Sequence, residues 1–223
     1  MELFGIPWFP CLAASLAAVF AAREYVTYRE KLPLKYLCTP MVTVIIAGFA
    51  VLSIIDDGVS AYRVLVLSAL VFSLIADTML MVVEVNLMEQ GIVYFMLGHV
   101  MYIAAFSLDY RFHGWNAAVA AVLLVLLLMF YRGIRGSAGR LRIPILVYAV
   151  VLCTMLFFAL SQLNNEISRQ SLFVMAGALL FVISDFLLAY LSFIRPHRQE
   201  SVIVWAVYAP AQFLLALSCF SCY

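Results

Sequence analysis

The stretch Phe72-Ser-Leu-Ile-Ala-Asp77-Thr-Met-Leu-Met-Val82 reads as the interior of a membrane span, yet a carboxylate stands among its leucines and methionines. A second stretch, Leu180-Phe-Val-Ile-Ser-Asp185-Phe-Leu-Leu, repeats the pattern. A charge at the centre of a membrane helix costs about 2.5–3.5 kcal/mol on insertion scales, so carboxylates retained there generally serve a site. The pair sets both the class of fold and the place to look for chemistry.

The surrounding chain agrees. Of its 223 residues, 67% are hydrophobic and 11% charged, with mean hydropathy +1.09; soluble domains carry roughly 25% charged residues. Apolar runs of about 20 residues recur, each long enough to cross a bilayer as a helix. The alternating ten-residue segments of an outer-membrane barrel do not occur. The expectation is an all-α polytopic membrane protein, one domain over residues 1–223. Its eight transmembrane helices fall at about 5–22, 35–55, 61–83, 91–109, 114–131, 143–163, 171–194 and 201–222. The punctuation is Arg23 to Lys31, Asp56-Asp57-Gly58, Glu84-Val-Asn86 with Glu89-Gln-Gly91, Arg111 to Gly114, Arg132 to Arg142, Asn164-Asn-Glu166 and Arg195 to Arg198. The first run reads as a span and not a removable signal peptide, since seven more follow and no small-residue cleavage site stands out. Net charge is +1, so nothing suggests a nucleic-acid or acidic-protein partner; the apolar runs make the lipid bilayer the expected partner, and oligomeric state is not legible. The five cysteines lie in or beside spans as small apolar packers, and the CxxC spacing of Cys219 and Cys222 at a helix end is weak evidence for redox or metal work.

Orientation follows from the basic residues of the short loops. Ten follow helices 1, 3, 5 and 7: Arg23, Arg29, Lys31, Lys35, Arg132, Arg135, Arg140, Arg142, Arg195 and Arg198. Three, Arg63, Arg111 and Arg169, lie on the other side. The basic loops are therefore expected in the cytoplasm and both termini outside it, in a bacterial cytoplasmic membrane or the endoplasmic reticulum. Among these cations Lys35, at the entrance to helix 2, is the foremost candidate to hold a lipid phosphate.

Helices 3 and 7 cross in the same direction, with Asp77 and Asp185 about sixteen and fourteen residues into their spans. At about 1.5 Å per residue, their depths agree within a turn. Helix 4 carries Gly98-His99-Val-Met-Tyr102 and helix 8 carries Tyr208-Ala-Pro-Ala-Gln212 at matching positions, each polar pair on one helix face. This points to a parallel four-helix repeat.

Burial and a like charge nearby keep one carboxyl of a close pair protonated while the other ionises. Such a pair can pass through an oxocarbenium-like state, as in glycosidases. Ser73, one turn before Asp77, and Ser184, beside Asp185, are local partners, and His99 is a candidate member. The three histidines, His99 in a span and His113 and His197 in loops on opposite sides, do not supply a zinc set. No GxSxG elbow or phosphate-binding glycine loop occurs, so no metal or cofactor is expected.

Taken together, the motifs resemble the lysoplasmalogenases, the YhhN-like group of eight-helix membrane enzymes. The matching stretches are Phe72 to Asp77, Gly98 to Tyr102, Tyr148 with Met155, Gly177 to Asp185, and Tyr208 to Gln212, with Lys35 and Pro40 as a looser element. Ala76 stands where the group usually has Gly. Pro210 falls inside the helix 8 motif, where a kink would shift Gln212 relative to Tyr208. The resemblance implies hydrolysis of the vinyl ether of a lysophospholipid, the lysoplasmalogen, to a fatty aldehyde and glycerophospho-ethanolamine or -choline. It implies Asp77 and Asp185 as catalytic acid and base, with Lys35, Ser73, His99, Tyr102, Tyr148, Ser184, Tyr208 and Gln212 binding or supporting.

Two other readings compete. A proton-coupled transporter would use the same aspartates, but helices 3 and 7 run parallel, whereas inverted repeats are common in carriers, and only Pro210 interrupts a core motif. A structural or chaperone-like membrane protein would tolerate asparagine at both positions.

Overall fold

The structure, a computed structural model, describes residues 8–82, 85, 87–164 and 167–221. Eight α-helices are present among them, and no strand: α1 Phe9–Tyr28, α2 Leu32–Asp57, α3 Ala61–Met81, α4 Met88–Phe106, α5 Gly114–Ile134, α6 Arg142–Ser161, α7 Arg169–Ala189 and α8 Glu200–Leu217. Local chemistry sets several starts. Proline occupies the first turn of α1 and α2, where its missing N–H costs nothing. Ser60 caps α3 by accepting from Arg63 N at 3.2 Å, and Ser168 and Ser171 cap α7 reciprocally. A π-helical turn, Tyr190–Ile194, continues α7. Glu84, Asn86, Asn165, Glu166 and Cys222, used above as punctuation or in the CxxC spacing, lie outside the described residues.

Seven helices are long and apolar enough to cross a membrane; α4 falls short. Glu89, Gln90, His99 and two tyrosines dilute it. Its packing nevertheless matches a crossing helix. Gly91 faces Leu80 and Gly98 faces Ala69, while the Tyr62 and Phe106 rings lie 6.4 Å apart. Thus α4 runs antiparallel along the whole of α3, and its 19 residues span about 28 Å. The polar residues are tolerable because its stripe Phe95, His99, Tyr102 and Phe106 is buried.

The flanks of the bundle are apolar, as lipid demands, and polar side chains of the spans are buried within an otherwise hydrophobic core. Val122, Leu124, Val125, Leu126, Leu128 and Met129 of α5 are exposed, whereas Thr43, Asp77, His99 and Gln212 are buried. Small residues let helices close. A Cβ on Gly98 would lie 3.1 Å from the Ala69 carbonyl oxygen, and one on Gly177 would lie 3.1 Å from that of Ala211.

Two arginines are placed differently from the sequence expectation. Helix α1 runs past Arg23, which is not in the first loop but fully buried. Arg63, counted among outer loop charges, sits in the first turn of α3 and is buried. Its guanidinium donates to the carbonyls of Asp57, Gly58 and Cys219 at 3.0–3.1 Å and pairs with Asp57 Oδ2 at 3.0 Å. It ties the α2–α3 turn to the end of α8, a structural job that a count of loop charges does not reveal.

Candidate active site

Asp77 lies near the end of α3 and Asp185 near the end of α7, and both line one cleft of about 300 Å³. Asp77 is 5% exposed; Asp185 is partly buried. Two helices distant in sequence thus bring their acids to a common space. The cleft reaches the end of the bundle where α1 turns into α2 and α7 into α8, with Arg23, Lys35, His197 and Ser201 along it.

A hydrogen-bond chain holds Asp77. Tyr102 OH donates to Gln212 Oε1 at 2.6 Å, Gln212 Nε2 to Tyr208 OH at 3.0 Å, and Tyr208 OH to Asp77 Oδ2 at 2.9 Å. Thr43 Oγ1 donates to the same oxygen at 2.7 Å. Asp185 accepts from Tyr148 OH. Side chains from four helices, α2, α4, α6 and α8, therefore position the two carboxyls of α3 and α7. Pro210 leaves the chain intact: α8 continues through it, and the Tyr208–Gln212 bond shows that no disabling kink separates them.

Three other expected members, His99, Ser184 and Ser73, are buried beside the carboxyls and do not line the cleft. His99 Nδ1–H donates to the Phe95 carbonyl at 2.6 Å, and its ring meets Phe181 edge-on at 4.6 Å and Tyr148 at 5.3 Å. It buttresses Tyr148 and is not among the residues lining the cleft. Ser184 is fully buried and donates to the Phe181 carbonyl at 2.8 Å. Ser73 is buried where α3 meets Gly98, and the hydrogen bonds to Asp77 Oδ2 come instead from α2 and α8.

Sequence reasoning missed Thr39, Thr43, Arg23 and Trp205. The first two were discoverable, since Lys35, Thr39 and Thr43 recur every four residues and form one polar stripe on α2. Lys35 and Thr39 line the cleft, and Thr43 reaches Asp77. Arg23 lies over the Trp205 ring at 4.2 Å and pairs with Glu24 at 2.6 Å. It also donates to Ser201 O at 3.0 Å and Ser201 Oγ at 2.6 Å. At the rim, exposed Arg198 pairs with Glu30 at 2.6 Å; the pairing holds the Glu30 carboxyl below and the Arg198 guanidinium above their ordinary values.

The arrangement can exchange protons between two carboxyls and a substrate group in a space shielded by the bundle. Comparison with known proteins places this geometry in context: the family model of the YhhN family matches residues 34–219, which takes in both carboxyls and every residue that donates to them. No solved structure matches.

Proposed function

The chain belongs to the YhhN family, to which lysoplasmalogenases belong, and on that premise we propose that it is a membrane-embedded lysoplasmalogenase with Asp77 and Asp185 as its acid and base. The observation that carries the reading is the cleft lined by both carboxyls. One Asp gives its proton to the β-carbon of the vinyl ether, leaving an oxocarbenium ion at the α-carbon. The other, ionised, steadies that cation and takes a proton from the water that attacks it. The resulting hemiacetal collapses, its hydroxyl proton passing to the glycerol oxygen, to give the aldehyde and a glycerophospho-ethanolamine or -choline. Tyr208, Thr43 and Tyr148 orient the carboxyls, and Gln212 and Tyr102 orient Tyr208. The alkenyl chain lies between helices, where apolar side chains replace lipid. We assign the whole chain to one domain with its basic loops in the cytoplasm.

The test uses detergent-solubilised protein, in which a carrier has no compartment to fill but an enzyme still turns over. Asp77→Asn and Asp185→Asn are each expected to lower aldehyde release from lysoplasmalogen by at least about 100-fold. Wild-type turnover in either variant would overturn the paired mechanism.

A further inference from the structure

The two carboxyls account for one end of the cleft. The other end holds buried donors that the reaction does not use. Arg23 Nε and Thr39 Oγ1 have no hydrogen-bond partner among the described residues, although Arg23 is 0% and Thr39 1% exposed and both residues line the cleft. A buried donor left unpaired is costly, typically about 1–3 kcal/mol, and native structures keep few of them. The Arg23 guanidinium is also immobilised, with one face on Trp205 and its terminal nitrogens on Glu24 and Ser201. One turn before Thr39 on the same face of α2, Lys35 adds an ammonium. The remaining cation nearby, Arg198, is matched by Glu30, and the acidic neighbour at the rim, Glu200, accepts from Ser192 at 2.8 Å.

We propose that Arg23, Lys35 and Thr39 form an anion subsite that takes the phosphate ester of the substrate. An N–H, an O–H and an ammonium are three donors along one cleft, beside Glu200 and with Arg23 also paired to Glu24, and together they suit a tetrahedral, acceptor-only group. The inference rests on the lysophospholipid reading, and it gives that reading a ruler. In a glycerophospholipid, phosphate and vinyl-ether oxygen sit at opposite ends of a three-carbon glycerol. Anchoring the phosphate at Thr39 therefore delivers the vinyl ether deeper in the cleft, toward Thr43 and Asp77, one turn further along α2. The subsite predicts selection for phosphate-bearing ethers over neutral alkenylglycerols.

Binding to purified full-length protein tests this without requiring turnover. The probes are a saturated 1-O-alkyl lysophosphatidylethanolamine, the 1-O-alkylglycerol of the same chain length, and inorganic phosphate. Wild type is expected to prefer the phospholipid by about tenfold or more, the scale of a hydrogen bond to a charged group. Thr39→Val and Lys35→Gln should each lose most of that preference while alkylglycerol affinity stays within about twofold; Thr39→Ser should keep it. Inorganic phosphate binding that weakens in the same variants supports the anion subsite and shows that it also accepts the free ion. Equal wild-type affinity for the two lipids, or variants that weaken both alike, overturns the proposal. A protein that shows this preference yet releases no aldehyde from the vinyl ether keeps the subsite and refutes the reaction.

Discussion

Thr43 carries more of the site than its residue type suggests. Threonines in apolar helices commonly satisfy themselves by donating to a carbonyl four residues back, and Thr78 and Thr154 do so here, at 2.8 Å each. Thr43 instead crosses to α3 and donates to Asp77. Replacing it by Val keeps the shape and removes one of the two donors to Asp77 Oδ2. The expected result is a fall in kcat of about tenfold with little change in KM, since a hydrogen bond to a charged group is worth about 1.5–3 kcal/mol. Thr43→Ser should restore most of the rate, which a merely steric role would not give. The same contrast explains what the sequence could and could not tell. Carboxylates, an amide and phenols in an apolar run stand out because each must find a partner there, so Asp77, Asp185, Tyr208 and Gln212 were legible. A threonine has a self-contained alternative, so its sequence does not say which way its hydroxyl turns. Arg23 was hidden for another reason: a cation near the end of an apolar run looks like an interfacial anchor, and only the Trp205 ring and Glu24 reveal that it folds inward.

At the level of helices, two antiparallel pairs, α3 with α4 and α7 with α8, close tightly at glycine. The Ala69 carbonyl opposite Gly98 belongs to a packed helix and cannot swing aside as a side-chain end can. Gly98→Ala should therefore push α4 from α3 and lower stability by about 1–3 kcal/mol. Gly48 of α2 has open space around its would-be Cβ, and Gly48→Ala should raise stability by about 0.5–1 kcal/mol. Thermal unfolding of both variants in one detergent checks the pair, and equal shifts would refute the close-packing argument. The helices themselves were legible to within a few residues, because charged and turn-forming clusters separate the apolar runs. Their ends were less so. The first helix continues through Arg23 and Glu24 to Tyr28, since burial against α8 compensates charges that composition alone would expel to a loop. The π-helical turn after α7 left no signal, because it changes hydrogen-bond register and not hydrophobicity.

For the whole molecule, the number of crossings decides which face bears the cleft, and the number turns on α4. By apolarity alone it would be the exception among the eight. If it stayed on one side, every later loop would change sides, and the α6–α7 loop would lie opposite the α2–α3 loop. The packing argues otherwise: Leu80 against Gly91, Ala69 against Gly98 and Tyr62 beside Phe106 make α4 retrace α3 from end to end. A helix so paired crosses whatever thickness its partner crosses, and its polar stripe is sheltered by the bundle. Eight crossings put the α2–α3, α4–α5 and α6–α7 loops on one face and the α1–α2, α5–α6 and α7–α8 loops, with Arg29, Lys31, Arg135, Arg140, Arg195 and Arg198, on the other. The orientation proposed above, from the basic-residue rule, has that second face, and the mouth of the cleft with it, on the cytoplasmic side. Single cysteines at Val59 and Ile167, 79% and 78% exposed, and at Gly136 test both statements in a background lacking native cysteines. Val59→Cys and Ile167→Cys are expected to react with a membrane-impermeant maleimide in intact cells. Gly136→Cys should react only after the membrane is opened. Opposite behaviour of positions 59 and 167 would mean that α4 does not cross. Matching behaviour with position 136 the reactive one would keep eight crossings and turn the cleft to the outer face.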